Sequence, residues 1–123
     1  MTKIRIFLVE DDDVLARTTE WRINKLEYEF AGRAANGKDA IAQISRSRPD
    51  IILMDINLQG EMDGIVTAGI IKKSLDIPII FLTSCMDKET ISRAKETGPD
   101  GYLVKPFENR DLMVAVELAV RVH

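Results

Sequence analysis

Five short runs of apolar and β-branched residues recur along the chain, at 4-IRIFLV-9, 28-YEFAGRA-34, 51-IILM-54, 77-IPIIFL-82 and 101-GYLV-104. Several are apolar at successive positions, the pattern of strands covered on both faces. Longer segments with helical spacing separate them, over 13–27, 37–47, 63–75, 87–97 and 108–121. The first carries an apolar stripe at Leu15, Ala16, Thr19, Ile23 and Leu26, one face of a helix. Gly37 precedes the second segment and Gly98 closes the fourth, as helix boundaries often require. Strand and helix alternating five times predict an α/β domain, a parallel sheet with helices on both sides. Right-handed crossovers leave few arrangements, and the expected one is doubly wound with strand order 2-1-3-4-5.

The 123 residues amount to one domain, taken here as 1–123, with 46% hydrophobic and 30% charged residues. That balance is ordinary for a soluble globular chain and suffices for a real core. No linker, repeat or low-complexity stretch interrupts it. A net charge of −3 gives no nucleic-acid footprint. The single cysteine, Cys85, excludes an internal disulfide, which fits a reducing compartment. The single histidine is His123, so histidine catalysis and histidine-rich metal sites are not expected. The apolar run from Ile4 is too short for a signal peptide and leads into acids. No stretch reaches membrane-spanning length. The expected location is the cytoplasm, without membrane insertion or direct contact with nucleic acid.

The chemistry gathers where the strands end. The first strand runs straight into Glu10, Asp11, Asp12 and Asp13. In the expected topology, sites form beyond the carboxyl ends of the strands where the order reverses, between strands 1 and 3. Strand 3 ends in Asp55. Carboxylates so close repel one another unless a positive group lies among them. A hard divalent cation is the natural partner, Mg2+ in particular, which takes a few carboxylates, waters and often a phosphate oxygen. Helix capping accounts for Asp12 or Asp13 but not for Glu10 or Asp55. Strand 4 ends in Thr83-Ser84 and strand 5 in Lys105-Pro106-Phe107. A lysine there can pair with the acids and hold a phosphoryl oxygen, and a hydroxyl can donate to the same oxygen. The alternatives are that Thr83 or Ser84 only caps the fourth helix and that Lys105 is a solvated strand end.

Over essentially its whole length the chain resembles a receiver domain of two-component response regulators. The matching motifs are 6-IFLVEDD-12, 51-IILMDINL-58, 62-MDGI-65, 79-IIFLTS-84 and 101-GYLVKPF-107. The resemblance implies a flavodoxin-like (βα)5 fold and a phosphorylation-dependent switch rather than a turnover enzyme. It implies Asp55 as phosphoacceptor and Glu10 and Asp11 as the acidic pair for Mg2+, with Asn57 supplying its backbone carbonyl. It also implies Lys105 on the phosphoryl group, a cis bond to Pro106, and Thr83 and Tyr102 as the switch pair. The implied donor is a sensor histidine kinase or a phosphotransfer protein. The implied output is a reshaped surface of the fourth helix, fifth strand and fifth helix, where homodimers also form.

The sequence departs from the family pattern in places. The stretch 55-DINLQGEMDG-64 has no proline and is one residue longer over 58–62, where Gly60 offers turn flexibility. Pro99 stands where a small residue is usual and is expected to stiffen the loop before Tyr102. Glu10 replaces an aspartate, a common variant. Asn57 and Cys85 lie two positions beyond Asp55 and Thr83, where the family tunes phosphoryl lifetime.

Trp21 falls off the stripe of the first helix, flanked by Arg17 and Lys25. It reads either as a ring covered by those stems or as a docking surface. In the last helix Leu112, Ala115, Val116 and Ala119 can face the sheet. Met113, Val114, Leu118, Val120 and Val122 form a second apolar set that suggests a partner or a neighbouring domain. The chain is expected to be a stand-alone receiver or one cut from a longer protein. Rival readings are an aspartyl-nucleophile phosphatase, which needs a second Asp where Asn57 stands, and a flavodoxin-like cofactor binder, whose phosphate the acids after strand 1 would repel. A third is a receiver that binds partners without being phosphorylated.

Overall fold

The computed structural model describes residues 2–84 and 87–122. Cys85, His123 and the side chain of Val122 lie outside that description. The strands are β1 (Arg5–Val9), β2 (Glu29–Ala34), β3 (Ile51–Asp55), β4 (Ile79–Thr83) and β5 (Gly101–Val104). The helices are α1 (Asp13–Lys25), α2 (Gly37–Ser47), α3 (Gly64–Ser74), α4 (Lys88–Glu96) and α5 (Asn109–Val122). All strand pairs are parallel and the order is β2-β1-β3-β4-β5, the doubly wound arrangement expected from the alternation.

The continuous apolar runs have the cause inferred for them. Every residue of β3 and β4 is buried, because helices cover both faces of the sheet. Phe7, Val9, Ile52, Met54, Ile79 and Phe81 pack on one side with residues of α2, α3 and α4, among them Ile44, Ile71 and Ala94. Ile6, Leu8, Leu53, Ile80 and Leu82 pack on the other with Ile23 of α1 and Leu112 and Val116 of α5. Each fully buried aliphatic side chain contributes about 1.5–3 kcal/mol, so alternate strand positions feed two separate cores. Among the described residues no helix is long and apolar enough to cross a membrane.

Local chemistry sets the helix starts. Asp12 accepts the Leu15 N–H, Asn36 that of Asp39, Asp63 that of Val66 and Asp87 that of Thr90, satisfying donors the first turn leaves open. The capping role considered for Thr83 or Ser84 therefore falls to Asp87, since α4 begins later than the end of β4. Gly98 follows α4 with a φ of 65°, the left-handed position where glycine ends helices. One stripe residue differs: Ala16, Thr19 and Ile23 are buried, but Leu15 in the first turn of α1 is 42% exposed, where it lines an open groove with Thr18, Arg22 and Phe107. Trp21 is 58% exposed, more open than a ring covered by neighbouring stems. The guanidinium-ring contact in this region is instead Arg22 over Phe107, at 5.9 Å.

Candidate functional site

Parallel strands bring their carboxyl ends to one edge of the sheet, and three strand ends deliver charge there. The Glu10 N–H donates to the Ala34 carbonyl at 3.0 Å, so residue 10 continues the line of β1 and its side chain is buried. Asp11 stands at the turn, and Asp55, the last residue of β3, is buried. One carboxylate oxygen from each of Glu10, Asp11 and Asp55 lies within 4.8 Å of the others. Beyond β5 the Lys105–Pro106 bond is cis. The Lys105 ammonium lies 2.9 Å from Glu10 Oε1 and 3.4 Å from Asp55 Oδ2. With its side chain only 18% exposed, Lys105 is part of the cluster, not a solvated strand end.

Further contacts orient the acids. The Asn57 N–H donates to Asp55 Oδ1 at 3.0 Å, which leaves Oδ2 toward Lys105. The Asp12 N–H reaches Glu10 Oε2 at 3.3 Å. The Gln59 N–H donates to Asp11 Oδ2 at 3.0 Å, tying the longer loop 58–62 to the end of β1. Leu58 is buried beneath that loop and Gly60 takes a φ of 107°, the positive value its turn requires. At Gly64 a Cβ would collide with the backbone carbonyl of Asp55, so α3 can start this close to Asp55 only with glycine there.

The balance of charge is unfavourable to three ionised acids. Burial first, and then the hydrogen bond shared with Asp55, push Glu10 up from 4.5 to about 7. For Lys105, burial works against the ammonium, but the hydrogen bond to Glu10 and the charges of Asp55 and Glu10 outweigh it and hold its pKa above the usual lysine value. One lysine thus only partly offsets the carboxylates. Hard oxygen donors with surplus negative charge, two of them buried, fit a small divalent cation such as Mg2+.

The remaining expected residues surround this cluster at different depths. Thr83 ends β4 buried, and its carbonyl accepts the Lys105 N–H at 2.8 Å. Tyr102 lies one strand over, in register with Phe81, with ring centroids 6.2 Å apart. It is 41% exposed, at the rim rather than in the cluster. Sequence reasoning missed Arg33 at the end of β2. Its Nε and Nη2 donate to the Glu10 carbonyl at 2.9 and 2.7 Å, and its Nη1 to Asp13 Oδ1 at 2.9 Å. A lone cation in the strand next to the acidic end of β1 was the available signal. It also missed Arg93 of α4, which pairs with the α3 cap Asp63 at 3.0 Å.

Comparison with known proteins bears on this arrangement. Residues 6–117 match the family described as the response regulator receiver domain. The chain is 33% identical over 116 residues to the transcriptional regulatory protein PdtaR of Mycobacterium tuberculosis, covering 94% of this chain and 56% of that protein. It is 32% identical over 120 residues to the response regulator protein VraR of Staphylococcus aureus, covering 96% and 57%. The chain therefore spans about half the length of the curated relatives it matches. Among solved structures, the signal receiver domain of a modulated diguanylate cyclase from Desulfovibrio desulfuricans G20 superposes with a TM-score of 0.91 at 38% identity, covering 96% of this chain and 94% of that one. A response regulator described as putative from Chloroflexus aurantiacus superposes at 0.88 with 30% identity, covering 98% and 99%. With the order β2-β1-β3-β4-β5, an acidic crevice at its switch point and a family match over most of its length, the chain belongs to the response regulator receiver domains, the phosphoacceptor signalling modules of two-component systems.

Proposed function

We propose that Asp55 is the phosphoacceptor. Glu10, Asp11 and Asp55, with the backbone carbonyl of Asn57, hold Mg2+ or another divalent cation. Lys105 and Thr83 contact the phosphoryl group, and Thr83 and Tyr102 form the switch pair. The observation that carries this reading is the Lys105 ammonium set 2.9 Å from Glu10 and 3.4 Å from Asp55, a fixed cation beside a buried carboxylate of limited mobility.

The donor is the phosphohistidine of a sensor histidine kinase or phosphotransfer protein. An Asp55 carboxylate oxygen attacks phosphorus, the new O–P bond forms as the N–P bond breaks, and the imidazole leaves with the electron pair. A bound divalent cation supplies charge neutralisation for the phosphoryl oxygens. Lys105 is near enough to exchange Asp55 for a phosphoryl oxygen as that charge arrives, and the Asn57 N–H fixes the carboxylate rotamer meanwhile. Hydrolysis of the acyl phosphate by water restores Asp55, so the domain catalyses only its own phosphorylation and dephosphorylation.

The added charge and acceptors draw the Thr83 hydroxyl toward the phosphoryl group. The space it leaves admits the Tyr102 ring, which starts at the rim. Such a change alters the α4–β5–α5 surface, a two-state element biased by a local charge event. Exposed Tyr102, Val104, Val114 and Leu118 give that surface an apolar patch suited to a second copy or an effector.

Intact mass after incubation with acetyl phosphate and Mg2+ tests the reading. One added phosphoryl group, absent in Asp55→Asn and in chelator, is the expected result. A phosphoryl adduct that persists in Asp55→Asn would overturn the assignment.

A further inference from the structure

The guanidinium of Arg33 makes three hydrogen bonds from one planar group, two to the Glu10 carbonyl and one to Asp13. A lysine, with a single nitrogen, cannot reproduce that fork. On the other side of residue 10, the Glu10 N–H donates to the Ala34 carbonyl. The end of β2 therefore holds the backbone of Glu10 at both its donor and its acceptor.

The Glu10 carbonyl belongs to the peptide unit that leads into Asp11. Because that unit is planar, fixing its oxygen fixes the direction in which Asp11 leaves the strand. Glu10 and Asp11 are two of the three carboxylates of the cluster. The same guanidinium engages Asp13, the last acid of the run. The Arg33–Asp13 pair by itself is worth little, since the Asp13 side chain is 79% exposed. The clamp on the peptide is the consequential part.

We propose that Arg33 is a positioning residue for divalent-cation binding, holding the Glu10–Asp11 peptide so that both carboxylates enter the crevice in a geometry a cation can use. The proposal rests on reading the acidic cluster as a cation site. It makes a prediction opposite in sign to a bare charge argument. A guanidinium beside the site repels an incoming cation, so on charge alone its removal tightens binding. If it acts as a clamp, its removal weakens binding.

Calorimetric titration of the full chain with MgCl2 separates the two, using the wild-type chain, Arg33→Gln, Arg33→Lys and Asp13→Asn, each also melted in chelator to verify folding. The expected result is about tenfold weaker Mg2+ binding for Arg33→Gln, a magnitude typical of residues that orient metal ligands. Arg33→Lys, which keeps the charge without the fork, weakens binding in the same direction and serves alone if the glutamine variant does not fold. Asp13→Asn stays within about twofold of wild type, as an exposed ion pair implies. Unchanged or tighter binding in the Arg33 variants overturns the proposal, as does a loss in Asp13→Asn equal to that in Arg33→Gln. No binding by the wild-type chain would instead refute the cation site itself, and the clamp with it.

Discussion

Glu10→Gln is the sharpest perturbation of the crevice, because it removes one negative charge while preserving size and hydrogen-bonding atoms. In the cation-free protein Glu10 titrates near 7, against 4.5 for a free glutamate. A group whose pKa is raised on folding contributes stability that is fully present below its unfolded pKa and is lost as pH rises through its folded pKa. At about 1.36 kcal/mol per unit, wild type should lose about 3 kcal/mol from this group between pH 4.5 and pH 7–8. The Glu10 side chain is 2% exposed, so solvent screening does little to reduce the figure. Glu10→Gln escapes this loss. In chelator at pH 8 it should be the more stable protein by about 2–3 kcal/mol, which for a domain of this size raises Tm by roughly 10 °C. Near pH 4.5 the two should converge. Denaturation of both chains across pH 4.5–8 reads the charge on Glu10 together with its contacts to Asp55 and Lys105. A Glu10→Gln chain less stable than wild type at pH 8, or a stability difference independent of pH, would refute the electrostatic account.

Two further substitutions probe the same crevice. Lys105→Met removes the cation 2.9 Å from Glu10 and should cost about 3–5 kcal/mol by urea denaturation at pH 8, as breaking a buried pair does. The loss should shrink at pH 5, where Glu10 is protonated, and a pH-independent cost would argue against the pairing. Gly64→Ala places a Cβ against the Asp55 carbonyl and should cost about 3 kcal/mol by overpacking. It should also slow phosphoryl uptake from acetyl phosphate, and unchanged stability and uptake would show that the start of α3 yields freely.

Much of the fold was legible because its causes are local or periodic. The runs 51-IILM-54 and 77-IPIIFL-82 announced strands buried on both faces, and β3 and β4 are buried throughout. In the loop at 58–62 the sequence offered Gly60 as a source of turn flexibility, and its φ is 107°. Leu15 lies on the stripe yet is 42% exposed, because helical period assigns a face but not how completely the rest of the fold covers it. Thr83 looked like a cap because sequence cannot say how far past a strand the next helix begins, and Asp87 took that role.

By itself the sequence determined the alternation of strands and helices, and with it a short set of handed arrangements whose commonest member brings Glu10, Asp11 and Asp55 together, as the structure does. The sequence offered Lys105 as a partner for those acids or as a solvated strand end, and the tertiary structure decided for the former and added Arg33. Lys105 reaches Glu10 across 95 residues and Arg33 reaches its carbonyl across 23. Such contacts depend on rotamers and on the separation of strand ends rather than on local preference. A charged group is worth little until burial removes its water, and burial is a property of the assembled fold.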